Sequence, residues 1–290
     1  MLTRTCLTLA CIVASAAIGP AAAAPGAAAP ATDPGTIVLT PHRAIYDLRL
    51  LRSRGKREIE AVRGRILYDF SGSPCAGYAL NFRQVSQLDS GESKSAMTDL
   101  RATTWEDGAA KRFRFNSENY LNDSAVDKVD GEADRNSDHV GVKLSKPTDK
   151  AFDLDRAMVF PTEQIRRIIA AAREGKTVVE MPLYDGSDNG EKVYNTLSVI
   201  GQPIPGDKTI ASPDPSTTNE QMKSLTRWPV TVSYYDHDGK SKDGEQTPVY
   251  AMSFELFENG VSRALVLDYN DFVISGALGK FDVKDAKPCN

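Results

Sequence analysis

Apolar side chains recur at every second residue over most of this 290-residue chain, and no other feature constrains its fold as strongly. In the first such run, Ala44, Tyr46 and Leu48 alternate with Asp47 and Arg49. Comparable runs cover residues 59–70, 78–85, 97–105, 112–115, 178–184, 193–200, 228–235, 250–257, 262–268 and 272–281. This periodicity, with many β-branched and aromatic residues, is typical of half-buried antiparallel strands. The sequence therefore predicts a mainly β protein with roughly a dozen or more strands.

The connections between these runs are mostly short turns. Asn259-Gly260 is a strong hairpin signal, and Asp185-Gly186 is a turn of similar composition. Residues 201–217, rich in Pro, Gly, Ser and Asp, are predicted to form a long loop.

One segment departs from the alternation and predicts an α-helix that begins at Phe160-Pro161. Pro161 suits a first helical turn, Thr162 is a candidate N-cap, and Gly175 is a stop signal. Three isoleucines at helical spacing are expected to pack on the concave face of the sheet: Ile165, Ile168 and Ile169. Three arginines are expected to face water: Arg166, Arg167 and Arg173.

The N-terminus predicts a secretory signal peptide. Arg4 precedes an uncharged apolar stretch at 6–18, and the alanines at 21–24 suit a signal peptidase. The predicted organisation is a signal peptide at 1–24, a linker rich in Pro, Ala and Gly at 25–40, and a single domain at 41–290. Cleavage after Ala22 or Ala23 fits as well as cleavage after Ala24. We expect the signal peptide to direct the protein to the periplasm. Since no window reaches about 18 uncharged apolar residues, we also expect that it is not a transmembrane protein.

Two cysteines remain after export, Cys75 and Cys289. Cysteine pairs in an oxidising compartment usually form a disulfide, so we predict this bridge. It would join an early strand to the C-terminus, which favours one domain over two. A redox or metal pair is the alternative, but there is no Cys-x-x-Cys spacing and no nearby histidine.

Catalytic motifs are missing from the mature sequence. There is no Gly-x-Ser-x-Gly motif, and His42, His139 and His237 lie far apart. No carboxylate was expected in an apolar setting that would raise its pKa. The net charge of −4 argues against a nucleic-acid partner. We therefore assign no catalytic residue, no metal ligand and no cofactor, and expect a protein that is not an enzyme.

Several passages resemble a known family when they are taken together. They are residues 41–48 (PHRAIYDL), 71–78 (SGSPCAGY), 99–108 (DLRATTWEDG) and 160–164 (FPTEQ), followed by a cysteine near the C-terminus. In this order they resemble the alphaproteobacterial cell envelope integrity proteins typified by EipB, over essentially the whole mature chain.

The resemblance implies a β-spiral, in which one long antiparallel sheet wraps on itself around one principal helix, loosely like the half-barrels of lipoprotein carriers. It also implies the Cys75–Cys289 disulfide, a role in envelope integrity, and a link to periplasmic tetratricopeptide-repeat proteins. It supplies no catalytic residues.

Three functions remain open from the sequence. The leading hypothesis is a non-catalytic periplasmic protein that binds envelope components or protein partners. A carrier of lipid or lipoprotein acyl chains is the alternative, and a hydrolase of envelope polymers is the third. Because the three isoleucines and Phe160 have large apolar side chains, we expect them to occupy most of the space inside the curved sheet. The function would then lie on the outer surface.

Overall fold

Fourteen strands in the described part of the chain form one antiparallel sheet. The structure is a computed structural model that describes residues 37–54, 59–91, 94–208, 210, 212–237 and 246–286. The strands are β1 (His42–Ser53), β2 (Ile59–Ser73), β3 (Gly77–Ser90), β4 (Lys94–Glu106), β5 (Arg112–Leu121), β6 (Ser124–Arg135), β7 (His139–Lys146), β8 (Lys150–Asp155), β9 (Val178–Leu183), β10 (Tyr194–Ile200), β11 (Arg227–Asp236), β12 (Tyr250–Phe257), β13 (Ser262–Asp268) and β14 (Phe272–Val283). The helices are α1 (Pro161–Arg173) and the short α2 (Pro215–Thr218).

The strand order divides the sheet into two meanders. It reads β8-β7-β6-β5-β4-β3-β2-β1-β14-β13-β12-β11-β10-β9, so β1 pairs with β14 in the middle. The two ends of the sheet, β8 and β9, are consecutive in the chain and are connected through α1. The chain therefore brings both edges of one curved sheet towards the same helix, which confirms the predicted fold class.

The segment before α1 pairs with β9, one of the two edge strands of the sheet. Val159 forms a parallel bridge with Leu183 of β9. The Val159 N–H donates to the Pro182 carbonyl at 2.8 Å, and the Tyr184 N–H donates to the Val159 carbonyl at 3.0 Å. These bonds satisfy backbone groups that an open edge would leave unpaired.

The period-two pattern places one face of the sheet in the core. On β1, Ala44, Tyr46 and Leu48 are buried while Arg43 and Arg49 are exposed. The larger core cluster contains side chains of β1–β3 and β9–β14 together with the second half of α1. A smaller cluster, centred on Phe113, Phe115 and Phe160, lies between β5–β7 and the start of α1.

A buried carboxylate caps α1. The N-cap residue is Phe160, which has no side chain able to cap the helix. Instead Glu106 at the end of β4 accepts from the N–H groups of Thr162 (2.7 Å) and Glu163 (2.8 Å). Two helix N–H groups are thereby satisfied by a residue far away in sequence. Thr162 is not the cap, which corrects the prediction from the sequence.

Further charges complete this helix anchor. Arg166 is only 3% exposed, donates to the Gly108 carbonyl at 2.7 Å, and lies 3.7 Å from the Glu106 carboxylate. Arg135 of β6 pairs with Glu163 at 2.8 Å. Burial raises the pKa of Glu106, while the two N–H groups and Arg166 favour its ionised form and oppose that shift. The expectation that Arg166 faces water is therefore wrong, because its partners come from β4 and the turn that follows.

The three predicted isoleucines differ in environment. Ile168 and Ile169 are fully buried, whereas Ile165 is only partly buried. Gly175 follows the helix with φ +75°, a left-handed conformation that suits glycine, and ends it as predicted.

Residues at the borders of the predicted domain also belong to the packed structure. Ile37 and Leu39 are both buried in the larger core, so the folded part begins at least four residues before position 41. Helix α2 begins within the segment predicted as a long loop and ends one residue beyond it. Residues 1–36, with the predicted signal peptide and most of the linker, lie outside the described residues. Neither α1 nor α2, the helices of the described chain, has the length and apolar character needed to cross a membrane.

Of the two predicted disulfide cysteines, Cys75 lies in the turn between β2 and β3, and Cys289 lies outside the described residues. Strands β2 and β14 both pair antiparallel with β1, so they run in the same direction. Near their ends, the Lys284 ammonium donates to the Phe70 carbonyl at 3.4 Å. Each cysteine is five residues further along its segment, and five residues reach about 17 Å. The described geometry is thus compatible with the predicted bridge.

We expect free-thiol labelling of the protein purified without reductant to detect neither Cys75 nor Cys289 until reductant and denaturant are added. Replacing Cys75 with Ser should lower the melting temperature, because a disulfide that closes a long loop stabilises the folded protein, here by at most roughly 5 kcal/mol. The fold itself should not change. A variant lacking both cysteines should be no less stable than the single variant. Labelling without reductant would exclude the bridge.

The buried His42 provides a test of the packing where the start of β1 pairs with the end of β14. Its ring stacks on Tyr68 with centroids 5.3 Å apart, and its Nδ1–H donates to the Thr40 carbonyl at 2.7 Å. Burial lowers the pKa of His42 from 6.5 to about 4. Because the folded-state pKa lies below the unfolded value, the stability from this group is complete above pH 6.5 and declines as the pH falls towards 4.

His42 should therefore lower the free energy of unfolding by about 2–3 kcal/mol when the pH falls from 7 to 4.5, and urea denaturation at the two pH values measures this loss. His42→Phe keeps an aromatic ring in the stack and should remove this part of the pH dependence. An identical pH profile for the two proteins would contradict the assignment.

The packing of α1 predicts a contrast between two positions on the same helix. Ile168→Ala should lower the free energy of unfolding by about 2–5 kcal/mol, because the side chain is fully buried. Arg173→Ala should cost less than about 1 kcal/mol, since its pair with Glu258 lies at the surface. Equal effects of the two substitutions in chemical denaturation would show that α1 is not packed as described.

Candidate functional site: an apolar cavity inside the sheet

A cavity of about 630 Å³ lies against the concave face of the sheet. The expectation of a largely filled concavity is therefore wrong. Its wall consists mainly of large apolar and aromatic side chains: Leu39, Tyr46, Ile66, Tyr68, Phe70, Leu80, Phe82, Leu100, Ile165, Val232, Tyr234, Val249, Tyr250, Met252, Phe254, Leu256, Leu265, Leu267 and Tyr269.

The cavity wall is built from the alternating residues of facing strands. Tyr68 of β2 pairs with Phe82 of β3, and both point into the cavity. In the other meander, Met252 of β12 pairs with Val232 of β11 and with Leu267 of β13. The period-two pattern of the sequence thus produces the wall, and both meanders contribute to it.

The cavity has a buried end and an exposed end. Leu39 and Leu256 are 3% and 1% exposed, whereas Leu100 and Val249 are 36% and 42% exposed. The cavity wall follows β12 from Tyr250 to Leu256, which corresponds to about 20 Å along a strand. We place the entrance at the Leu100 and Val249 end.

A row of tyrosines runs across the cavity wall from the entrance. The ring centroids of Tyr269 and Tyr250 are 5.1 Å apart, those of Tyr250 and Tyr234 are 5.5 Å apart, and those of Tyr234 and Tyr194 are 5.7 Å apart. Gln84 donates to the Tyr269 hydroxyl at 3.4 Å. Such rings combine apolar faces with polar hydroxyl groups, which suits the contact of an amphiphilic ligand.

Polar groups gather where the tyrosine row ends. Asp185 Oδ1 accepts from the Ser187 N–H at 3.0 Å, and the Ser187 hydroxyl donates to the Tyr194 hydroxyl at 3.3 Å. Burial raises the pKa of Asp185, and it raises the pKa of Tyr194 to about 12. We call Asp185, Ser187 and Tyr194 the polar end of the cavity.

Helix α1 borders the cavity but does not fill it. Ile165 and Gln164 line the cavity, while Ile168 and Ile169 pack in the core. The amide of Gln164 donates to the Thr196 hydroxyl at 3.0 Å, which fixes this part of the helix to β10. Of the three predicted isoleucines, Ile165 is therefore the one that lines the cavity.

The sequence did not reveal the polar residues of the site. Asp185 was interpreted as part of a turn, and Glu106 lay in a motif without an assigned role. Both carboxyl groups have a raised pKa, so the expectation that no carboxylate lies in an apolar setting is wrong. A signal for Asp185 was present, since it follows the buried Leu183-Tyr184 directly.

The cavity offers burial and a few hydrogen bonds rather than reactive groups. The three histidines do not converge: His42 is in the core, His139 lies 3.3 Å from Asp153, and His237 contacts Asn195 at 2.8 Å. In the described ranges, no group of three or more His, Cys, Asp or Glu side chains is arranged to bind a metal ion.

The same architecture occurs in proteins of Brucella abortus. A crystal structure described as a beta-barrel-like protein of a domain of unknown function has a TM-score of 0.77 and 35% sequence identity, and the match covers 86% of this chain and all of that one. The cell envelope integrity protein EipB of strain 2308 is 37% identical over 257 residues, or 88% of either chain. A sequence model of the EipB-like family matches residues 34–285. The chain therefore belongs to the EipB-like family.

Proposed function

We propose that this protein maintains the cell envelope as a non-catalytic periplasmic binding protein that takes an apolar chain into its cavity. The relative named for cell envelope integrity supports the envelope role. The cavity of about 630 Å³ supports the binding role, and this single observation carries the proposal.

The dimensions of the cavity suit one acyl chain. Ligand sites in proteins have volumes of about 300–1,000 Å³, and they bury most of their ligand. Half of the hydrocarbon core of a bilayer, the depth that one acyl chain occupies, is about 15 Å. The cavity wall extends for about 20 Å along β12, so an acyl chain of membrane length fits between the entrance and the buried end.

This geometry changes the order of the functions proposed from the sequence. A carrier of lipid or lipoprotein acyl chains becomes the leading form of envelope binding, because the concave face is apolar and accessible. A hydrolase is disfavoured, since Asp185 is the one carboxylate among the cavity residues that are described, whereas polymer hydrolysis commonly uses a pair. Glu106 is already committed to the helix anchor.

The periplasmic location and the protein partners belong to the same proposal. The location is supported by the export pattern of the sequence and by the envelope name of the relative. Periplasmic tetratricopeptide-repeat proteins are proposed as partners on the family resemblance alone.

A bulky side chain in the cavity should reduce the binding of an apolar fluorescent probe such as N-phenylnaphthylamine. Met252 lines the cavity, so Met252→Trp should weaken probe binding by about tenfold or more, which corresponds to about 1.4 kcal/mol. Met97→Trp is the matched control, because Met97 is an exposed residue of β4 outside the cavity wall.

The same two variants test the envelope role. In a strain that lacks the protein, Met97→Trp should restore resistance to detergent, and Met252→Trp should not, although both proteins accumulate and melt alike. Rescue by both variants, or equal probe affinity of both, would refute the proposal that the cavity performs the function.

A further inference from the structure

The charges around the cavity restrict which amphiphile it can accept. Among the described residues that line it there is no lysine, arginine or histidine, and Asp185 is the one carboxylate. An anionic headgroup would therefore lose its hydration without gaining a counter-charge, and it would meet an acidic group as well.

The groups that favour the ionised form of Asp185 are neutral: the hydroxyl and N–H of Ser187 and the N–H of Asp185 itself oppose the effect of burial on its pKa. Its Oδ1 accepts the Ser187 N–H at 3.0 Å, and the tyrosines that face it, Tyr194 and Tyr234, are neutral hydroxyl groups. The neighbouring carboxylate of Asp188 disfavours ionisation of Asp185 further.

A cation packs against the ring of Tyr194 but has its own partner. The Lys192 ammonium is 5.6 Å from the centroid of the Tyr194 ring, and it forms an ion pair with Asp236 of β11. A headgroup at the polar end is therefore offered the Asp185 carboxyl, the Ser187 hydroxyl and the Tyr194 hydroxyl.

We propose that the cavity selects acyl chains with an uncharged, hydrogen-bonding headgroup, such as a glyceryl hydroxyl or an amide, and discriminates against anionic lipids through Asp185. This inference rests on the proposed function, since it names the ligand class of the same cavity. A hydroxyl or amide donates to the Asp185 carboxylate, and it accepts from Asp185 when that group is protonated. Both protonation states of Asp185 therefore accept the uncharged ligand, and the ionised state repels an anionic one.

The test compares two ligands that share one acyl chain and differ in charge. Monopalmitoylglycerol and palmitate, each below its aggregation concentration, compete at pH 8 with N-phenylnaphthylamine bound to the full mature protein. Wild-type protein should favour the monoacylglycerol by about tenfold or more, because a charge in a poorly solvated site interacts strongly with its neighbours.

Asp185→Asn should reduce that preference at least threefold by improving the affinity for palmitate, while the affinity for the monoacylglycerol changes little. Asp127→Asn is the matched control: Asp127 is an exposed residue of β6 and is not a cavity residue, so its replacement should leave the preference unchanged. Thermal melting verifies that both variants are folded.

The possible failures are distinguishable. If N-phenylnaphthylamine binds but the two ligands displace it equally, or if Asp185→Asn retains the full preference, the inference about the headgroup is overturned and the proposed function stands. If N-phenylnaphthylamine does not bind to the wild-type protein, the proposed function itself fails and the inference fails with it.

Discussion

The contact between the Glu106 carboxylate and the first turn of α1 is the interaction on which the rest of the architecture depends. It connects β4, in one meander of the sheet, to a helix that packs against β9 and β10 in the other. The buried Arg166 lies beside it and needs the carboxylate as a partner. Removing one member of such a group leaves an uncompensated charge in the interior, which is strongly destabilising. The curved form of the sheet is thereby held by a contact between its two meanders.

This anchor also explains why a cavity persists beside the helix. With its N-terminus fixed near β4, α1 directs Ile168 and Ile169 into the larger core and presents Ile165 and Gln164 to the cavity. Gln164 is in turn bonded to Thr196 of β10, so this turn of the helix is fixed at two points. The helix can therefore border the concave face without moving across it, and the two meanders enclose a volume that no side chain of α1 occupies.

Local patterns in the sequence predicted the parts of the fold that local physics determines. The alternating runs at 178–184, 193–200 and 250–257 correspond to β9, β10 and β12 within about two residues, a margin expected of strand ends. Strands β6–β8 were not predicted. In β6 the buried positions are reduced to two residues, Val129 and Ala133, among mainly polar ones. In β7 the alternation is present at Val140, Val142 and Leu144, and the prediction missed it.

Features that depend on distant residues were beyond the reach of the sequence. Arg166 was expected in water since its spacing on the helix is that of an exposed position, and its partner Glu106 lies sixty positions earlier. The cavity was missed for a similar reason. The sequence gives the number of apolar side chains but not their positions in the fold, so it does not show which of them leave space unoccupied. Four tyrosines from different strands and turns form one row only after the second meander has assembled.

The most direct test of the account is the mass of the native protein. Protein purified gently from its native cells would be weighed by native mass spectrometry, before and after organic extraction. The account predicts an added mass of one amphiphile per chain that extraction removes and that Met252→Trp greatly reduces. A native mass equal to that of the polypeptide alone, together with no uptake of added acyl chains, would contradict the claim that the cavity is a binding site.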